Sequence, residues 1–292
     1  MEQFKELSIM ALATPVCVVG IALELFFSHA KKSGYYSFKG TINNIYLMIL
    51  NMGLDILLRG GYLLVFAFFF NYRILEISNP LIYWLVLVVA QDLLYYLLHC
   101  VDHHCRLFWA VHVTHHSSEE FNFTVGFRSS VFQPVYRFIY FIPLTLIGFN
   151  GMDIMLVYSA TQIYGILVHT QTAGKLGFLE YILVTPSHHR VHHGSNPEYL
   201  DRNMGMLLII WDKLFGTFQE EDAPVNYGLT CSVKKKDPLN IVFHEWKSIA
   251  EDVRKPITLS EKLKYVFNRP GWSHDGSSFT SSQLRQKRNL KG

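Results

Sequence analysis

Five apolar stretches set the outline of the chain. A helix crossing hydrocarbon needs about 20 mostly apolar residues, and residues 7–27 supply them with Glu24 as a lone charge near the end. Residues 45–70 form a second stretch, 81–98 a third, 131–149 a fourth and 154–168 a fifth. The second holds Asp55 and Arg59, four residues apart, which share a helical face and can pair. Gly53, Gly60 and Gly61 beside them suit close helix packing. The turn-like Gly148-Phe149-Asn150-Gly151 joins the fourth stretch to the fifth as a helical hairpin, although Pro134 and Pro143 lie in its first arm. The pattern predicts an all-α integral membrane protein with four to five membrane helices.

Between these stretches the polar segments differ in charge. Residues 28–40 carry Lys31, Lys32 and Lys39, whereas residues 71–80 are nearly neutral. By the positive-inside rule the basic loop is cytoplasmic, and residues 99–130 and the end of the hairpin return to that side. That expectation holds for a bacterial inner membrane or an endoplasmic reticulum alike. From residue 219 the chain turns polar, with Lys234, Lys235 and Lys236 and a tail holding Arg285, Lys287, Arg288 and Lys291 that reads as solvated or lipid-facing. Residues 277–282 read as disordered. The expected division is residues 1–85 as N-terminal membrane helices, 86–218 as the catalytic domain and 219–292 as a basic cytoplasmic segment.

Composition agrees with a bilayer protein: half of the 292 residues are hydrophobic and 17% are charged. A net charge of +3 without a basic stripe excludes a nucleic-acid surface. Four cysteines without Cys-x-x-Cys spacing predict no structural disulfide. The first residues lack a basic flank, so residues 7–27 read as a retained helix, not a cleaved leader.

Six of the fourteen histidines lie between residues 99 and 116. On helices, His99 and His103 share a face, as do His112, His115 and His116 at offsets of zero, three and four. His189, His192 and His193 repeat those offsets after Thr185-Pro186, a helix N-cap and first position. His169 closes the fifth stretch. Neutral imidazoles suit zinc, copper, iron and nickel, and nine exceed what one ion accepts, so two metal ions are expected. His103 and His112 would face opposite sides of one unbroken helix, so the chain must turn between them or face two metals. His104 and His188 fall off the repeated offsets and read as outer or solvent-facing, while His29, His244 and His274 read as ordinary packing histidines. Asp92 shares a stripe with Tyr95, His99 and His103, and is placed to orient an imidazole or to pair with Arg59 or Arg137. Glu119, Asn122 and Asn203 are further candidates for orienting ligands, and Ser117 to Glu120 matches a capping box. A histidine-rich metal or haem transporter is the rival reading, but it would place ligands at mid-membrane, not past the ends of spans.

The three spaced groups, His99-x3-His103, His112-x2-His115-His116 and His189-x2-His192-His193, resemble the histidine boxes of the fatty acid hydroxylase and sterol desaturase superfamily. Residues 203–218, with Asn203, Trp211, Asp212 and Thr217, resemble its closing signature. Within it, residues 109–119, 185–194 and 226–230 are most similar to the alkylglycerol monooxygenase family, with His104 standing where that family has an acidic residue. The resemblance implies a di-iron site (zinc being a possible substitute in a purified sample), O2, tetrahydrobiopterin or a separate electron donor, and cleavage of glyceryl ethers. Relatives acting on sterols, carotenoids or fatty acyl lipids share the boxes. A cytoplasmic helical cap over the membrane helices would hold the dimetal site.

Overall fold

The computed structural model describes residues 2–233 and 236–290, and among them every regular element is helical. Three long helices come first: α1 (Glu2–Ala30), α2 (Phe38–Phe70) and α3 (Pro80–His104). Each is long and apolar enough to cross a membrane. Ser37 caps α2 by accepting from Gly40 N, and Asn79 caps α3 by accepting from Leu81 N and Ile82 N, with Pro80 at the start. Leu12, Leu57, Leu64 and Leu81 are 74–77% exposed. So large an outward apolar surface suits hydrocarbon, not water.

The fourth apolar stretch is not one long helix. It breaks into α5 (Gln133–Tyr136), a 3-10 turn (Arg137–Phe141) and α6 (Ile142–Ile147). Pro134 and Pro143 each sit in the first turn of a new helix, because proline lacks the N–H that would continue the preceding one. α7 (Gly151–Leu167) then returns beside α1 and α3. Phe66, Leu87, Leu144, Phe149 and Ile154 form the fully buried centre of this bundle. Asp55 and Arg59 pair at 2.8 Å, and Tyr62 donates to the same carboxylate at 2.7 Å.

The two ends of the bundle are built differently. At one, Ile74 N and Leu75 N donate to Leu146 O and Ile147 O, and Gly148 turns with φ +132° so close that a Cβ would lie 2.3 Å from Leu75 O. At the other, α1 ends, α2 begins, and α3 and α7 end together. Glu24 of α1 accepts from Tyr36 OH, Phe123 N and Thr170 Oγ1, and Asn44 of α2 donates to Thr124 Oγ1 at 3.0 Å.

Beyond this second end lie α4 (Arg106–His116), a 3-10 turn (Phe123–Phe127), α8 (Pro186–His192) and α9 (Ile210–Phe215), then α10 (Pro238–Val253), α11 (Leu259–Phe267) and α12 (Ser281–Asn289). Residues 277–282 are ordered by local bonds: Asp275 accepts from Ser277, and Thr280 and Gln283 cap α12. The tail is docked, with Arg288 paired to Glu198 at 2.6 Å and Arg285 donating to Leu200 O. Lys234, Lys235 and Lys291 of the basic segments lie outside the described residues. All four cysteines are free.

Candidate metal centre

The turn required between His103 and His112 occurs at Cys105, whose extended backbone (φ −119°, ψ 118°) ends α3 and starts α4. No glycine or proline marks it; tertiary contacts hold it. Arg106 N donates to Asn268 O, and the Arg106 guanidinium grips Glu245 and Asp252 at 2.6 Å each and Ser248 at 2.9 Å. α4 is thereby clamped to α10 and α11.

The nine imidazoles singled out by spacing gather into two groups. His99, His103, His112, His116 and His192 form one; His115, His169, His189 and His193 form the other. Within each, one candidate ligand atom per residue lies within 4.8 Å of every other. Helix geometry explains the division. Residues four apart differ by about 40° in direction, whereas the third lies about 60° to the other side. His112 and His116 of α4 therefore serve the first group and His115 the second. His189 and His193, at the end of α8, serve the second group and His192 the first. The rings of His116 and His193, one from each group, stack at 4.4 Å.

Hydrogen bonds on the outer nitrogens fix five tautomers. Nδ1 of His99 lies 2.7 Å from Met204 O, of His115 3.3 Å from Arg128 O, of His169 2.6 Å from Gly165 O and of His192 3.1 Å from Arg202 O. Nδ1 of His103 lies 3.4 Å from the Asp201 carboxylate. Carbonyls and carboxylates only accept, so each Nδ1 carries the proton and each Nε2 keeps a lone pair. Nε2 atoms of these rings meet Nε2 atoms of the others: His99 to His112 at 3.0 Å, His169 to His193 at 3.1 Å, and His169 to His189 at 3.0 Å. Nε2 of His103 and His192 is buried without a partner. Burial, reinforced by neighbouring imidazoles, holds His112, His115, His116, His189 and His193 well below the usual histidine range, and burial takes His169 down to about 4. Neutral rings aiming lone pairs at one centre repel unless a cation lies there. Two nitrogens about 2.1 Å from a single ion are about 3.0–3.4 Å apart, which matches the observed separations. The donor set therefore fits metal ions in both groups.

The polar residues proposed from sequence to orient these rings bond elsewhere. Asp92 accepts from Leu207 N, Leu208 N and Trp211 Nε1, not from an imidazole and not from Arg59 or Arg137. Asn203, with φ +52°, bridges His188 O to Gln219. Asn122 holds Tyr35 O and Thr124, and Glu119 pairs with Lys236. Ser117 donates to Thr114 O at the end of α4 and caps no new helix. His104 donates to Cys100 O, and His188 meets Glu180 at 3.1 Å and closes the capping box of Thr185. Asp92 and Asn203 still act on the site at one remove, since they shape the loop that carries the Met204 carbonyl. The actual partners are mostly backbone carbonyls, which leave no mark in a sequence. Gln133 is an exception, with its side-chain amide 3.1 Å from His112 Nδ1; Asp102, one residue before His103, stands 3.9 Å from the same nitrogen.

A cavity of about 40 Å³ opens beside His99, His112, His115, His169 and His189. Its other wall includes Tyr95, Gln133, Arg137 and Gln162. Gly126 makes room here, since a Cβ would lie 2.9 Å from Ile166 Cα and 3.2 Å from His169 Nδ1.

Residues 84–217 match the fatty acid hydroxylase family model. Alkylglycerol monooxygenase of Homo sapiens is 38% identical over 205 residues, covering 69% of this chain and 45% of that protein. The Xenopus tropicalis alkylglycerol monooxygenase is 32% identical over 264 residues, 89% of this chain and 58% of the relative. Ornithine lipid hydroxylase OlsE of Rhizobium tropici is 30% identical over 152 residues, 51% and 46% respectively. The chain spans about half the length of the curated relatives it matches. No solved structure matches it. Residues 84–217, the part of the chain that carries both histidine groups, are thus a fatty acid hydroxylase domain by their match to that family model.

Proposed function

We propose that the chain is a membrane-bound, O2-dependent di-iron monooxygenase that oxidises a carbon–hydrogen bond of a lipid, most specifically the one beside the oxygen of a glyceryl ether. The observation that carries this reading is the pair of buried imidazole groups whose Nε2 lone pairs converge at 3.0–3.3 Å. His99, His103, His112, His116 and His192 would hold one ion, and His115, His169, His189 and His193 the other. Iron bound there would supply O2 activation and accept electrons from tetrahydrobiopterin or a separate donor; zinc can fill the same nitrogens in a purified sample.

The chain's own residues do the rest. Carbonyls of Met204, Gly165, Arg128 and Arg202 keep the ligating nitrogens unprotonated. Burial of the rings keeps bulk water from the reacting carbon. One lipid C–H and O2, with two electrons and two protons, become C–OH and water. Beside an ether oxygen the product is a hemiacetal, which collapses to an aldehyde and glycerol. Lys31 and Lys32, in the loop that joins α1 to α2, and Lys39, in the first turn of α2, lie at the end of the bundle nearest the imidazoles, which supports a cytoplasmic site under the positive-inside rule. α7 is a candidate fourth span, and residues 86–218 the catalytic unit.

The match to an ornithine lipid hydroxylase favours a second reading, in which another lipid is hydroxylated with electrons from a redox protein. Purified membranes supplied with a 1-O-alkylglycerol, O2 and tetrahydrobiopterin test the first choice. Release of a fatty aldehyde supports it. Its absence, together with hydroxylated lipid formed with a ferredoxin as donor, selects the second. Metal-dependent transport in vesicles without O2 consumption on any lipid would overturn both.

A further inference from the structure

The wall of the small cavity facing the imidazoles is polar, which an alkyl chain alone does not require. Arg137 comes from the 3-10 turn that interrupts the fourth apolar stretch, and it is 5% exposed. One terminal nitrogen donates to Tyr158 OH at 3.3 Å, the other lies 3.7 Å from Asp102, and the guanidinium lies over the Tyr95 ring at 5.3 Å. Its Nε–H is sealed from solvent and has no partner. The amide nitrogen of Gln162, on α7, is likewise sealed and unpartnered. Both residues line the cavity. Buried donors are almost always paired, and an exception points to an acceptor that arrives with a ligand. The imidazoles around the cavity do not supply it, since neither donor has a partner among them.

We propose that Arg137 and Gln162 bind an oxygen atom of the substrate and thereby select the adjacent carbon–hydrogen bond for oxidation. The inference rests on the lipid-oxidation reading above and deepens it: the substrate class is a lipid with an ether or similar acceptor oxygen next to the oxidised carbon. Size agrees. A water molecule needs about 10–15 Å³ on this measure, so about 40 Å³ admits an oxygen and the carbons beside it. The remaining chain must extend out of the cavity. Asp102 supports Arg137 from behind, and Tyr136 steadies Asp102 by donating to it at 2.7 Å.

The test compares a 1-O-alkylglycerol with its analogue in which a methylene replaces the ether oxygen, using the metal-loaded protein. Wild type is expected to favour the ether in kcat/KM by at least about tenfold, the worth of a hydrogen bond to a buried donor. Gln162→Leu should erase most of that preference, mainly through KM, and should spread oxidation to neighbouring carbons of the ether substrate. Arg137→Lys should do the same more strongly; if it fails to fold, Gln162→Leu carries the test alone. A second readout is thermal stabilisation of the detergent-solubilised protein by each compound, greater for the ether in wild type and equal in Gln162→Leu. An unchanged preference and product position in folded, metal-loaded Gln162→Leu overturns the inference. Should wild type oxidise neither compound, the functional reading fails, and the thermal shifts still decide whether these residues bind the oxygen.

Discussion

Asp212 receives the backbone N–H of Met204 at 2.6 Å, and the carbonyl of that same Met204 accepts from Nδ1 of His99 at 2.7 Å. Asp212 also takes Gly205 N at 2.8 Å and Thr217 Oγ1 at 2.7 Å. It thus fixes the peptide that orients an imidazole without touching the ring. Asp212→Asn keeps the shape but replaces one oxygen acceptor by a donor facing the N–H of either Met204 or Gly205. The expected result is a loss of metal affinity of about 10- to 100-fold, the scale seen for outer partners of ligating histidines. Metal content after dialysis against a graded chelator series checks it.

His115→Ala and His192→Ala each remove one imidazole from a different group. Turnover should fall by more than about 100-fold, beyond the effect of an outer partner, with little loss of folded protein. Near-normal activity in either, at matched expression, would count against the two-group site.

Arg106→Ala unclamps α4 from α10 and α11. It strips Glu245 and Asp252 of their shared cation, each carboxylate being less than one-fifth exposed. Removing one partner of a buried ion pair costs about 3–5 kcal/mol, and here partial exposure places the expectation at the lower end, about 3 kcal/mol. The melting temperature should drop, and Arg106→Lys should recover part of it. Unchanged melting would mean that the C-terminal helices do not brace α4.

Metal removal should expose the acid sensitivity of the imidazole groups. His169 is held down at about 4 by burial, and its neighbours in both groups are also lowered. A histidine with a depressed folded pKa stays neutral in the fold while the unfolded chain takes up a proton near pH 6.5. The metal-free protein is therefore at its most stable above about pH 6.5, and it loses stability steadily as pH falls toward about 4. Thermal melts of chelated protein across that range, with metal restored in a parallel series, should show the decline and its reversal. A flat profile without metal would contradict the burial of these rings.

The sequence made the convergence of the imidazoles legible, because offsets of three and four on a helix have a fixed geometric meaning. It could not show how they divide, since that depends on which way α4 and α8 face each other. A turn between His103 and His112 was one of two expectations, but its place at Cys105 was not legible: Arg106 holds it through Glu245 and Asp252, more than a hundred residues away. Pro134 and Pro143 did carry information, and hydropathy overrode it when residues 131–149 read as one span. Asp92 shared the correct helical stripe with His99, yet its carboxylate reaches sideways to the 207–211 segment. Carbonyl partners such as Gly165 O and Arg202 O have no side-chain identity to recognise.

Because α4 and α8 each donate to both imidazole groups, the two ion positions share their scaffolding. Emptying one leaves a helix half-anchored and slackens the grip on the other. Loading should therefore be all-or-nothing: at limiting metal, the preparation is expected to sort into full and empty molecules, with few that hold a single ion.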